Sequence, residues 1–226
     1  MSSGSIAARV LPFGAYIAFL AVEPHAGTVF GALGFSGLDP RWIYLVKVGC
    51  VGGLLAYFWR DYRELARPGN ARASDWILAA AAGLAVFFAW IRLDASWMVI
   101  GDSGAGFDPR TEGQIDWSLA TARIAGAALV VPLMEELFWR SFVMRWIDRS
   151  DFLSVAPGAV SMRALSIASA IFAVEHREWF AGLVAGLVYA WLYVRSANLW
   201  LPVLAHAVTN AVLGVYVLAT GKWGYW

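Results

Sequence analysis

Two adjacent glutamates and an arginine lie in the middle of a hydrophobic stretch of this sequence. Glu135, Glu136 and Arg140 belong to the run LATARIAGAALVVPLMEELFWRSFVMRWI, which is otherwise apolar enough to cross a lipid bilayer. A charged side chain near the bilayer centre costs about 2.5–3.5 kcal/mol on insertion scales, and ionisable groups at that depth usually serve a function. These residues therefore indicate a site inside the membrane.

Two other hydrophobic stretches carry polar side chains: FAVEHREWF contains His176, and LAHAVTNAV contains His206 and Asn210. Residues four apart lie on one face of a helix, so His206 and Asn210 are predicted neighbours, as are Glu136 and Arg140. Glu135 projects about 100° away from Glu136. We expect Glu136 and Arg140 to form a buried ion pair and Glu135 to stay unpaired.

This pattern suggests general base catalysis. A carboxylate shielded from water is a stronger base than a solvated one, so Glu135 can deprotonate a water molecule, while His176, His206 and Asn210 hold or polarise the reacting groups. A structural role competes with this interpretation, because polar side chains also join membrane helices, through hydrogen bonds worth about 0.6 kcal/mol on average. Asn210 alone fits either role.

Two prolines precede the polar residues, Pro132 before Glu135 and Pro202 before His206. A proline inside a membrane helix removes one backbone hydrogen bond and frees a carbonyl group, which another group or water must satisfy. We therefore predict that both helices open locally at these prolines and that water reaches the polar side chains there.

The composition of the chain indicates that membrane helices position these residues. Of the 226 residues, 60% are hydrophobic and 15% are charged, whereas soluble domains have about 45–50% apolar and about 25% charged residues. We predict an all-α, polytopic transmembrane bundle of seven or eight helices, near residues 10–31, 42–59, 76–93, 118–147, 162–177, 179–196 and 198–219. The count depends on whether the fourth helix breaks at Pro132.

Net charge and cysteine content exclude several classes of protein. The formal net charge of +1 gives no reason to expect nucleic acid as a partner. Cys50 is the only cysteine in the sequence, so neither an internal disulfide nor a thiolate metal cluster can form.

The distribution of arginines predicts the orientation of the chain. The connection after the second predicted helix is rich in arginine, whereas the connection after the third is mostly acidic. By the positive-inside rule the first of these faces the cytoplasm, and so does the N-terminus. The arginines of the first connection are Arg60, Arg63, Arg67 and Arg72.

This orientation places His176 near the outer end of its helix, away from Glu135. We therefore predict that the helix near 162–177 is shifted or that residues 150–161 re-enter the membrane, either of which would bring His176 to the depth of Glu135.

Taken in order, Glu135-Glu136-x-x-x-Arg140, Phe172-x-x-x-His176 and His206-x-x-x-Asn210 resemble the motifs of the CAAX protease and bacteriocin-processing family of intramembrane proteases, whose eukaryotic relative is the type II prenyl-protein endopeptidase. The resemblance covers about residues 118–215 of a single domain, 1–226. Residues 1–117 contribute membrane helices that resemble nothing specific, and we treat them as the variable part of the domain.

The resemblance implies hydrolysis of a peptide bond inside the membrane. Glu135 would activate water with the help of His176, while His206 and Asn210 would hold the oxyanion or a metal ion. Both a metal-free glutamate mechanism and a metalloprotease mechanism have been argued for such enzymes. A divalent metal such as zinc would be held by Glu135, His176 and His206.

The resemblance also bears on the substrate, which would be a membrane-anchored or lipid-modified protein cut near its C-terminus. The segment PLMEELFWRSF is similar to the corresponding segment of relatives found beside exosortase-type sorting systems. This similarity suggests that the substrate is a hydrophobic C-terminal sorting tail that enters from the lipid bilayer. The expected location is a membrane, the inner membrane of a bacterium.

Two other functions fit the same residues. In a proton-coupled transporter, Glu135, His176 and His206 would form a proton relay, but such folds carry internal repeats that we do not find here. A non-catalytic scaffold or immunity protein could keep the family fold, although it would not need an unpaired Glu135.

Overall fold

The computed structural model describes residues 3–66, 71–101 and 106–226, so Arg67 lies outside the described residues. Almost all of the regular structure is helical, which confirms the predicted all-α bundle. The helices are α1 (Ser3–Val22), α2 (Ala26–Ala32), α3 (Ile43–Tyr57), α4 (Ala73–Trp90), α5 (Trp117–Asp148), α6 (Met162–Val174), α7 (Trp179–Ser196) and α8 (Trp200–Thr220). One short antiparallel hairpin, β1 (Arg110–Thr111) and β2 (Gln114–Ile115), precedes α5.

Five of these segments are long and apolar enough to cross a membrane. The first of them joins α1 to α2 through a single tight turn at Glu23–His25, and the others are α4, α5, α7 and α8. The two remaining helices are shorter, with 15 residues in α3 and 13 in α6. At about 1.5 Å per residue, α6 is only about 20 Å long, less than the thickness of the hydrocarbon layer.

Side-chain hydrogen bonds identify two opposite ends of the bundle. At one end Arg9 of α1 donates to Oε1 of Glu64 over 2.5 Å and to Oγ of Ser141 over 3.1 Å. At the other end Arg41 donates to the carbonyl oxygen of Asp108 over 2.9 Å. The described part of the chain contains seven helical segments when α1 and α2 are taken as one, which is the lower of the two predicted counts, but only five of them are long enough to cross a membrane.

Small residues allow the helices to approach closely. A methyl group at Gly83 of α4 would overlap the carbonyl group of Ala205 in α8, and one at Gly186 of α7 would lie only 3.1 Å from Ser169 of α6. The space beside Gly49 of α3 is open. Gly186 therefore lets α7 pack against α6, and Gly83 lets α4 lie directly against the helix that carries His206.

Helix α5 is continuous through Pro132, which decides the question that the sequence left open of whether this helix breaks there. Two stretches of wide, five-residue turns lie on either side of the proline, at Gly126–Val130 and Leu137–Val143. In such π-turns each N–H bonds to the carbonyl five residues back rather than four. The helix accommodates Pro132 by changing its hydrogen-bond register instead of ending.

Pro202 does not open its helix, contrary to the prediction. It lies in the first turn of α8, which begins at Trp200. The first N–H groups of a helix have no partner within the helix, so a proline there breaks no bond.

The predicted shift of the helix near 162–177 does not occur, since the helix begins at Met162, and the alternative of a re-entry of residues 150–161 is not needed either. This segment lies at the end of the bundle, where the hydroxyl and N–H of Ser161 donate to the carboxylate of Asp148 over 2.5 and 2.7 Å. From this common level, Glu135 lies 13 residues back along α5 and His176 lies 15 residues forward. The shortness of α6 therefore brings His176 to the depth of Glu135.

Candidate active site

A cavity of about 200 Å³ opens between α4, α5, α6, α7 and α8. All four residues predicted to be catalytic line it. They come from three places in the chain: Glu135 from α5, His176 from the loop after α6, and both His206 and Asn210 from successive turns of α8.

Glu136 lies outside this cavity lining and is fully buried. Its Oε2 is 3.1 Å from Nε of Arg140, which is the ion pair expected from the spacing. Its Oε1 accepts a hydrogen bond over 3.0 Å from Nδ1 of His206. Both oxygens of Glu136 are therefore engaged, and the carboxylate fixes α8 against α5 at the level of the cavity.

Glu135 has no such partners. Its side chain is 10% exposed, and Oε2 has no hydrogen-bond partner among the described residues. The nitrogen recorded closest to this oxygen is Nε2 of His206, at 4.0 Å. The adjacent glutamates thus differ in environment as their angular separation on the helix predicts.

The imidazole of His176 is oriented by the end of α6. Nδ1 donates to the carbonyl oxygen of Phe172 over 2.9 Å. A carbonyl oxygen only accepts, so the neutral ring carries its proton on Nδ1 and leaves Nε2 unprotonated. The rings of Phe172 and Trp90 pack against the imidazole at centroid distances of 4.7 and 5.3 Å.

Asn210 is tied to the irregular part of α5. Its Nδ2 donates over 2.8 Å to the carbonyl oxygen of Ala127. In the π-turn, the N–H of Val131 bonds to Gly126, so the next carbonyl in that register, Ala127, would need an N–H at position 132. Residue 132 is proline and has none. Asn210 therefore supplies the donor that Pro132 lacks.

Tyr189 and Thr209 support His206 from α7 and α8. The Tyr189 ring stacks on the imidazole, with centroids 5.0 Å apart and planes inclined by 21°. Its hydroxyl donates to Oγ1 of Thr209 over 2.7 Å, and Thr209 donates to the carbonyl oxygen of Gly83 over 2.8 Å. An apolar helix with an aromatic residue reads as ordinary packing, so no pattern in the sequence indicated Tyr189.

Two charged residues also line the cavity although the motifs do not include them. From the sequence, Glu178 is expected to be an exposed charge at the end of a helix. In the structure it is buried, and its Oε1 lies 3.5 Å from Nη2 of Arg177. Arg123, in the second turn of α5, lines the cavity as well. Its position within a hydrophobic run was the available signal.

The predicted metal ligands are not grouped as a metal site requires. Within residues 3–66, 71–101 and 106–226, no three His, Cys, Asp or Glu side chains lie close enough together to hold a metal ion. Glu135, His176 and His206 line one cavity but do not form such a group. We therefore derive no step through a metal.

One comparison with known proteins finds a similarity. Residues 117–212 match the family model of the type II CAAX prenyl endopeptidases, Rce1-like. This segment begins with α5 and ends in α8, so it contains all three motifs and every predicted site residue. Neither the curated proteins nor the solved structures contain a match to the chain.

Proposed function

We propose that the protein is an intramembrane endopeptidase in which Glu135 activates water, a proposal supported by the similarity of residues 117–212 to the Rce1-like family model of type II CAAX prenyl endopeptidases. The observation that carries this proposal is the contrast between the glutamates: Glu136 forms an ion pair with Arg140 and accepts a hydrogen bond from His206, whereas Oε2 of Glu135 accepts no hydrogen bond among the described residues and its side chain lines the cavity. A buried carboxylate without a partner is costly to keep, and general base catalysis gives it a use.

The proposed reaction is hydrolysis of a peptide bond. Glu135 accepts a proton from water while the water oxygen attacks the carbonyl carbon, and the protonated Glu135 then gives this proton to the leaving nitrogen as the C–N bond breaks. Nε2 of His176, which is unprotonated in the neutral ring, accepts a hydrogen bond from the second water hydrogen and so fixes the direction of attack, and this hydrogen stays on the new carboxyl group. Every proton and electron pair is supplied by water and these side chains.

The oxyanion would be stabilised from α8. One N–H of the Asn210 amide is bound to Ala127, and its second N–H is available to a substrate oxygen. His206 lies one turn before Asn210 on α8, and its Nε2 is 4.0 Å from Oε2 of Glu135; an N–H at this atom would be the second donor. Two preorganised donors in a site of low dielectric constant stabilise a developing oxyanion effectively.

We propose a membrane-anchored protein cut near its C-terminus as the substrate, with a hydrophobic sorting tail as one form of it. The cavity lies between membrane helices, which suits a substrate segment that enters laterally from the bilayer. We also propose the inner membrane of a bacterium as the location, with the N-terminus in the cytoplasm. The contact of Arg9 with Glu64 supports the second point, since it puts the N-terminal end beside the arginine-rich loop.

Mass spectrometry of protein C-termini in the host membrane tests the proposal. Strains carrying the wild type, Glu135→Ala or His206→Ala are compared, with Glu112→Gln in an exposed loop as the matched control. We expect one set of membrane proteins to keep a C-terminal extension in both site variants and to be processed normally in the control. If all variants accumulate and no terminus changes, proteolysis is refuted, and proton flux becomes the measurement for a transporter.

A further inference from the structure

A second cavity, of about 300 Å³, lies on the loop side of the active-site cavity. The two share Tyr44, Arg123 and Trp226 in their linings. A path therefore leads from the cavity that contains Glu135, past Arg123, towards the end of the bundle that contains Arg41.

Arg123 is the cation of this path that has no anionic partner. Arg41 pairs with Asp39 at 2.5 Å, and Glu23, the carboxylate of the second cavity, pairs with Lys47 at 2.6 Å. Among the described residues no carboxylate pairs with Arg123, and its buried Nε has no hydrogen-bond partner.

Aromatic rings hold the guanidinium group in place. Cζ of Arg123 lies 4.3 Å from the ring centroid of Tyr44 and 5.5 Å from that of Phe107. Such contacts fix a cation but do not neutralise it. A guanidinium group in a cavity within the membrane gains most from an anion that its planar fork can bind through two hydrogen bonds, and a carboxylate has that geometry.

We propose that Arg123 binds a carboxylate of the substrate peptide on the C-terminal side of the cleaved bond. This inference rests on the proposed function, and it adds a specificity residue that the three motifs do not contain. Arg123 lies 12 residues before Glu135 on the same helix, or about 18 Å along the axis. About five extended residues cover that distance. Arg123 thereby selects tails that place a carboxylate about five residues beyond the cleavage site.

Binding of a defined probe tests this without requiring cleavage. The probe is an N-acetylated heptapeptide of leucine and alanine, made as the free acid, as the C-terminal amide, and as an amide that ends in aspartate. Calorimetric titration uses the full chain in detergent with Glu135→Gln, so that the peptide survives. We expect the free acid to bind about tenfold more tightly than the plain amide, and the aspartyl amide decides whether a side-chain carboxylate serves equally well.

Variants at Arg123 test whether this residue causes the tighter binding of the free acid. Adding Arg123→Gln should abolish the difference between acid and amide, Arg123→Lys should retain part of it, and Arg92→Gln, an exposed arginine outside both cavities, should leave it unchanged. Equal binding of acid and amide, or a preference that survives Arg123→Gln, overturns the inference. An acid preference carried by Arg123 in a protein that cleaves nothing would refute proteolysis while leaving the carboxylate site intact.

Discussion

Nδ1 of His206 donates a hydrogen bond over 3.0 Å to Oε1 of Glu136, which lies 70 residues earlier in the chain. The other oxygen of the same carboxylate lies 3.1 Å from Arg140. One buried carboxylate thus fixes a helix through an ion pair and orients an imidazole of the cavity. Its neighbour Glu135 takes part in neither contact, so substitutions at the two glutamates should have different consequences.

Glu135→Gln should abolish cleavage and leave the stability of the fold nearly unchanged, because the carboxylate has no hydrogen bond to lose on Oε2. Glu136→Gln should lower both, since it leaves Arg140 buried without its counter-ion, at a cost of about 3–5 kcal/mol. Thermal unfolding in detergent and cleavage of a processed substrate are measured together. A Glu135 variant as unstable as the Glu136 variant would contradict this division of roles.

Asn210→Ala should lower turnover by about 10²–10³-fold, the usual effect of removing one oxyanion donor. Substrate binding should change little, because the donor acts on charge that develops only in the transition state. Steady-state kinetics separate the two effects. Unchanged turnover with weaker binding would show that Asn210 holds the substrate instead.

Pro132→Ala tests how Asn210 is positioned. The new N–H at position 132 can bond to the carbonyl of Ala127 or Ala128 and compete with the amide of Asn210. We expect turnover to fall while the fold remains as stable as before or becomes more stable, since a proline inside a helix costs about 3 kcal/mol.

Pro202→Ala is the matched control, because Pro202 lies in the first turn of α8 and leaves no carbonyl of the helix unpaired. Normal turnover in both proline variants would show that the bond between Asn210 and Ala127 does not govern the position of the amide.

Gly83→Ala should destabilise the protein and reduce activity. The added methyl group would overlap the backbone of Ala205, next to His206, and push α8 away from α4. Overpacking of this kind costs about 1–3 kcal/mol. Gly49→Ala in α3 is the control, since nothing lies within 4 Å of its new methyl group. Unfolding temperature and cleavage are compared for the two variants, and equal behaviour would argue against the close contact.

Removal of metal ions should leave cleavage intact. No group of three His, Cys, Asp or Glu side chains in the described part of the chain is arranged to hold a metal, and the proposed steps need only water and side chains. The purified protein is treated with a strong chelator, analysed for residual zinc by mass spectrometry and then assayed. Loss of activity that returns with added zinc would show that Glu135, His176 and His206 close around a metal during the reaction.

The sequence predicted the elements of this protein well because their signals are local. Hydrophobic runs placed six of the seven predicted helices within three residues of their observed bounds, whereas the first, predicted near 10–31, begins at Ser3 and is interrupted at Glu23–His25. The spacing of Glu136 and Arg140 predicted their ion pair. The local helix geometry at the two prolines was harder to predict. A proline permits either a broken helix or a change of hydrogen-bond register, and the sequence alone does not distinguish them.

Tertiary structure decided how the polar segments meet. The motifs identified the polar residues of the site, but not their relative depth or their partners. The short length of α6 sets the depth of His176. Packing between helices distant in sequence brings Tyr189 onto His206 and Asn210 onto the carbonyl oxygen of Ala127. The surroundings of Arg123, which has no carboxylate partner among the described residues, likewise depend on a loop residue distant in the chain, Phe107. Periodicity determines which face of a helix a residue occupies, whereas the partner of that face depends on contacts between residues that are distant in sequence.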